Sequence, residues 1–193
     1  MFDLYAKHAN TLIKRYRKNE KGATAIEFAL LAVPFLALLF SIVELAIVFF
    51  VGSALNHAMS EAAREIRTGE FQATCSENAA NFKTLVCSKM GSLGDCDGKL
   101  RFDVEKSATG NFEANMVTPT PIIEDPLNPG QPQISPNTYT ASGPRDVVVI
   151  RAEYFHQLSV PGTLTRLSNL PGNQRLIAST TAFRNEPFPS TCP

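Results

Sequence analysis

Cysteines, histidines and a pair of isolated glutamates are the residues of this chain with chemistry to offer. Cys75, Cys87, Cys96 and Cys192 suit either disulfides or a zinc site. No CxxC occurs, and His156 has no partner near it in sequence, so tetrahedral zinc is the weaker alternative. Four thiols allow three pairings. Cys87 and Cys96 flank the short turn Met90-Gly91-Ser92-Leu93-Gly94, which favours their local closure and leaves Cys75 for Cys192. His8, His57 and His156 accompany no GxSxG, HExxH or phosphate-binding loop, so no catalytic residue, metal or cofactor is predicted.

The glutamates say more. Between Phe28 and Val51 the only polar side chains are Ser41 and Glu44, and Glu27 stands just before that run. A carboxylate in such surroundings is costly and seeks a partner. For Glu27 an ordinary explanation exists. Thr24-Ala25-Ile26-Glu27 has the spacing of a capping box, with threonine as N-cap and glutamate at N3. An acid there also favours the positive end of the helix dipole. Glu44 would lie about 25 Å further along a helix and turned by roughly 100° from Glu27. An assembly contact is expected for it, ahead of a residue that merely snorkels outward.

These acids need an element to hold them, and the apolar run supplies it. Phe28–Val51 is about 24 residues, or roughly 36 Å as a helix, against a hydrocarbon core of about 30 Å. It can span a bilayer with some tilt. Residues 1–22 carry Lys7, Lys14, Arg15, Arg17, Lys18 and Lys21 against Asp3 and Glu20. That bias places them in the cytoplasm and everything after about residue 52 outside. All four cysteines then fall in an oxidising compartment, which supports disulfides. A cleaved secretory signal, with Gly52-Ser53-Ala54 as its small-residue site, has too long an apolar core, since such cores run about 7–15 residues. A plain signal anchor stays open on composition. Lys and Arg number 18 and Asp and Glu 18, so no net field draws the chain to nucleic acid.

The boundary between basic flank and apolar run reads RKNEKGATAIEFALLAVPFLALLF. Lys21-Gly22 closes the leader, Ala23 follows, and Glu27 is the fifth residue after the glycine. This resembles the prepilin peptidase site of type IV pilins. The wording GATAIEFALLAVPFLALLF, followed by a small-residue helix and EAAREIR, is similar to the TadE family of minor pseudopilins of the tight-adherence (Tad) pilus. The likeness is closest over residues 18–70. It implies cleavage between Gly22 and Ala23, where the bare glycine lets the backbone extend into a protease. It implies a new amino terminus on Ala23, cationic below a pKa of about 8, to which Glu27 of a neighbouring subunit is the counter-ion. Pro34 removes one backbone donor, frees the carbonyl of Leu30 and predicts a bend, a feature such helices often carry.

Helical periodicity continues past the span. Val51, Leu55, Met59, Ala62 and Ile66 form one apolar stripe, with His57 on the polar side, Arg64 and Arg67 in the last turn and Gly69 as C-cap. A helix from Ala23 to Thr68 would be roughly 69 Å long. A short helix is predicted for Asn78–Met90, with Phe82, Leu85, Val86 and Met90 on one side. Strands are predicted for Leu100–Glu105, Asp146–Phe155 and Gln174–Arg184. Between the first two strands, the Pro-rich stretch 107–145 reads as a long exposed loop.

The expected architecture is α+β: leader 1–22, a long helix 23–69 with its membrane part about 28–51, and a head 70–193 built on a small antiparallel sheet. What the resemblance implies is a structural protein, not an enzyme, for biogenesis of an adhesive pilus. Its partners would be inner-membrane lipid, prepilin peptidase, other pilins and Tad assembly proteins. It would sit in a bacterial inner membrane as a single-pass protein with a periplasmic head, and at the pilus or cell surface after assembly. The alternatives are an uncleaved, signal-anchored extracytoplasmic enzyme or binding module, and a type II secretion pseudopilin. The ATAIEFALL segment and the lack of a hydrophilic calcium-site loop near the C-terminus favour Tad over the latter.

Overall fold

Leucine, alanine, isoleucine and phenylalanine follow one another from Ala25 to Val51 with no glycine to loosen the backbone, and they form part of one helix, α1, Ala23–Arg67. The computed structural model describes residues 22–91, 96–112, 124–133 and 135–189. The basic leader with His8, the turn at 92–95, much of the Pro-rich stretch and Cys192 lie outside the described residues. The helix begins at Ala23, so Thr24 sits inside its first turn and is not the N-cap that the capping-box spacing predicts. Pro34 stands within the helix, which continues past it.

The chain divides into two compact units, residues 1–42 and 43–193. In the first, the described part is the opening of α1, and its apolar side chains face outward: Phe28 is 74% and Leu31 73% exposed. Among the described residues this is the one helix long and apolar enough to cross a membrane.

In the second unit the stripe Val51, Leu55, Met59, Ala62 and Ile66 is buried. Its spacing puts these residues on one side of α1, where they join a core with Phe82 and Val86 of a second helix and with Phe102, Val104, Ile150, Ala152 and Tyr154 of a sheet. Gly69 ends α1 in a left-handed conformation (φ 81°), and Phe71 N–H bonds back to the Glu65 carbonyl at 3.1 Å. A Cβ at Gly69 would lie 2.4 Å from the Phe188 ring, so only glycine fits. The second helix, α2, is Ala79–Met90. Asn78 caps it by accepting the Asn81 N–H at 2.9 Å.

After a turn at Cys96–Lys99 (α3) come β1, Leu100–Lys106, then β2, Thr138–Tyr139, β3, Val147–Gln157, a turn at Gly162–Thr165 (α4) and β4, Gln174–Arg184. The order across the sheet is β2-β1-β3-β4. β1–β3 and β3–β4 are antiparallel, with Phe102 opposite Ala152 and Ala152 opposite Ser179. β2 corrects the expectation of a wholly antiparallel sheet: it pairs parallel to β1, making the sheet mixed. Two residues just past Pro136 are too few to show periodicity. They are held instead by specific bonds, from Phe102 N–H to Asn137 Oδ1 at 3.1 Å and from Thr140 N–H to the Val104 carbonyl at 2.9 Å.

Candidate membrane and assembly site

Gly22 immediately precedes α1 and is exposed, with open space where a Cβ would stand. Ala23 is the first helical residue, and Glu27 follows one turn later, about 6 Å along the axis. Glu27 is exposed, and no bond to its carboxylate occurs among the described residues. Pro34 is likewise exposed on the apolar surface. Gly22 and Glu27 are therefore both accessible at the start of an uncovered apolar helix whose first residue is Ala23.

Glu44 belongs to a different environment. It is 3% exposed, and both carboxylate oxygens lie 3.2 Å from the backbone nitrogen of Ser159, just past the end of β3. His156 Nε2 is 3.7 Å from Glu44 Oε1. Burial pushes the His156 imidazole below its ordinary pKa; the Glu44 carboxylate pulls the other way, and the positive charge of Lys99 adds to the depression. The partners expected for Glu44 were a neighbouring subunit or solvent. Those the structure supplies come from its own head, 115 residues further along the chain. No local pattern in sequence could have paired residues so far apart.

Sequence reasoning also missed a buried charge network on the sheet face opposite α1. Alternation turns Phe102 and Val104 toward the helix, leaving Arg101 and Asp103 on the other side. Arg101 lies 2.7 Å from Glu153 and 2.8 Å from Asp103, while Arg151 lies 2.6 Å from the other oxygen of Glu153. Thr138 Oγ1 donates to Asp103 at 2.8 Å. The register sets Arg101 opposite Glu153 and Asp103 opposite Arg151. A signal was present: a basic and then an acidic residue two positions apart, in the same order on both strand candidates, set opposite charges against each other in an antiparallel pair.

Cys87 and Cys96 are joined by a disulfide, with Cα atoms 5.7 Å apart. Cys192 lies outside the described residues, so the Cys75–Cys192 pair is carried forward as a proposal. His57 is exposed on α1. No group of three His, Cys, Asp or Glu able to hold a metal occurs among the described residues.

One apolar N-terminal helix, long enough to cross a membrane and opening on an exposed glycine, followed by a small α+β head, is the build of a single-pass anchored protein. The comparison with protein families gives that class a name for the helix. Residues 22–64 match the family described as TadE-like protein. The match starts at Gly22, takes in Ala23, Glu27, Pro34 and Glu44, and stops before the sheet. Over that segment the chain is similar to TadE-like proteins. No curated protein and no solved structure matches.

Proposed function

We propose that this chain is a pilin-like structural protein for biogenesis of an adhesive Tad pilus, processed by prepilin peptidase between Gly22 and Ala23. The observation that carries this reading is the opening of an apolar helix at Ala23, with Gly22 and Glu27 exposed, within the TadE-like match. Cleavage there frees an α-amino group at the membrane surface. Glu27 on a second subunit is its counter-ion, and pairing at that depth sets the register between helices. The helix anchors the protein once in the bacterial inner membrane with its head in the periplasm, and Cys75 with Cys192 closes a second disulfide there. Other pilins, Tad assembly proteins and the peptidase are its partners.

Glu44 revises the membrane part of the helix in this scheme. Its carboxylate is satisfied by Ser159 within the head, so the lipid-facing segment is best drawn as 23–43, roughly 32 Å. That length suits a hydrocarbon core of about 30 Å, with Glu27 near its inner edge and Glu44 outside it. The test is the mature terminus. Mass spectrometry of membrane-extracted protein should start at Ala23, and Gly22→Leu should leave the longer precursor. A mature chain beginning at Leu55, or one never cut, would instead support a secretory signal or a plain anchor.

A further inference from the structure

The connection between β3 and β4 stands beside the stretch of α1 where the apolar surface should leave the bilayer. Ser159, within that connection, binds Glu44 through its N–H. Beyond Glu44 the helix is covered by the head on one side, where Val51 is 3% exposed, yet Phe49 remains 70% and Phe50 63% exposed. Exposed apolar side chains thus occur on α1 both before Glu44 and beyond it. A lipid-facing segment drawn as 23–43 reaches its outer edge next to Glu44, the residue that Ser159 binds.

The composition of the connection fits that depth. From Tyr154 to Asn185 the chain contains no aspartate or glutamate, although it contains Arg166, Arg175 and Arg184. Pro161 and Arg166 are exposed, while Val160, Leu167 and Leu170 are partly so. The segment is held in shape by Asn173: its Nδ2 donates to the Leu158 carbonyl at 3.0 Å and the Val160 carbonyl at 3.2 Å, and its Oδ1 accepts from Gly162 N–H at 2.6 Å. A fixed, acid-free segment with an exposed proline, partly exposed Val160, Leu167 and Leu170 and an exposed arginine suits a phospholipid interface: apolar side chains among the upper acyl carbons, guanidinium on phosphate.

We infer that the β3–β4 connection, centred on Ser159–Arg166, is a second membrane contact that rests the head on the outer leaflet of the lipid bilayer. The inference rests on the anchored reading proposed above. The chain has no tryptophan, so one introduced tryptophan reports a single site. Ser159→Trp and Arg166→Trp, both at exposed positions, should be reconstituted as full-length protein in dilute phosphatidylcholine–phosphatidylglycerol vesicles. Leu39→Trp marks the anchor and Asn111→Trp the far end of the head.

Blue-shifted emission at both sites, quenched more by lipid brominated high on the acyl chains than near their methyl ends, is the expected result. Emission and quenching like those of Asn111→Trp, with Leu39→Trp strongly quenched, would overturn this contact and leave the anchor intact. Blue-shifted emission without bromolipid quenching would mean that protein, not lipid, covers the segment, and would also overturn it. If Leu39→Trp itself escapes quenching, the anchored reading falls as well.

Discussion

The Ser159 amide faces both carboxylate oxygens of Glu44 at 3.2 Å, so the end of the third strand is tied to the middle of the long helix. Glu44 is 3% exposed, and the amide loses its acceptor if the carboxylate is removed. Glu44→Ala should therefore cost about 1–3 kcal/mol, the penalty for an unsatisfied buried group. Urea unfolding of the full chain in detergent would read this as a lower midpoint. Glu44→Gln keeps an acceptor oxygen and should recover most of the loss. An unchanged midpoint for the alanine variant would show that the contact adds nothing to the attachment of the head.

The same corner makes stability depend on acidity. His156 has its pKa lowered in the fold, chiefly by burial, with Glu44 and Lys99 as the charges that act on it. The unfolded chain, at about 6.5, takes up the proton first. Stability is thus greatest above about pH 6.5 and falls as pH drops through that value, levelling off below the folded-state pKa. His156→Gln should flatten this part of the profile. Thermal midpoints of both proteins between pH 7.5 and 5 would test it; parallel curves would remove His156 as the cause.

Most of this corner was closed to the sequence, although the elements around it were legible. The stripe Val51, Leu55, Met59, Ala62 and Ile66 shows one buried side at helical spacing, and all five residues are in the core. Gln174–Arg184 is rich in β-formers, although it alternates imperfectly, and is a strand with those bounds, its burial alternating only from Ile177 onward. β2 was hidden because two residues carry no period. Glu44 was legible as a charge that needed a partner. Which partner it has is a matter of topology, set where α1 crosses the end of β3. Gly22 and Glu27 could be read from local spacing because their proposed chemistry is local.

The charge network offers a sharper measure of what alternation implies. Glu153 is 1% exposed and neutralises two arginines, Arg101 at 2.7 Å and Arg151 at 2.6 Å. Removing it takes from the buried Arg101 its shortest ion pair and from Arg151 its own, so Glu153→Ala should cost about 3–5 kcal/mol. Replacing Arg101, Asp103, Arg151 and Glu153 together with apolar residues should cost far less, because no charge is then stranded. Chemical denaturation of the two variants makes the comparison. Equal losses would mean that the network acts through packing and not through charge.

Glu27 separates assembly from anchoring. It is exposed at the start of the helix, one turn from Ala23, and its charge has no bonded partner among the described residues. If it pairs with the Ala23 amine of a neighbour, Glu27→Ala should still insert and be cleaved, since spanning rests on the apolar residues that follow. The defect would appear later, as few or no pili and weak surface attachment. If Glu27 serves only its own helix end, losing it should cost about 1 kcal/mol of local stability, which a span of this hydrophobicity would absorb. Piliation would then be normal. Glu27→Gln sharpens the contrast, because glutamine can bond to the helix start but brings no charge. Counting pili by microscopy, with insertion and cleavage checked by immunoblot, distinguishes the cases. Normal pili with both substitutions would rule out charge pairing; loss with both, after normal insertion and cleavage, would support it.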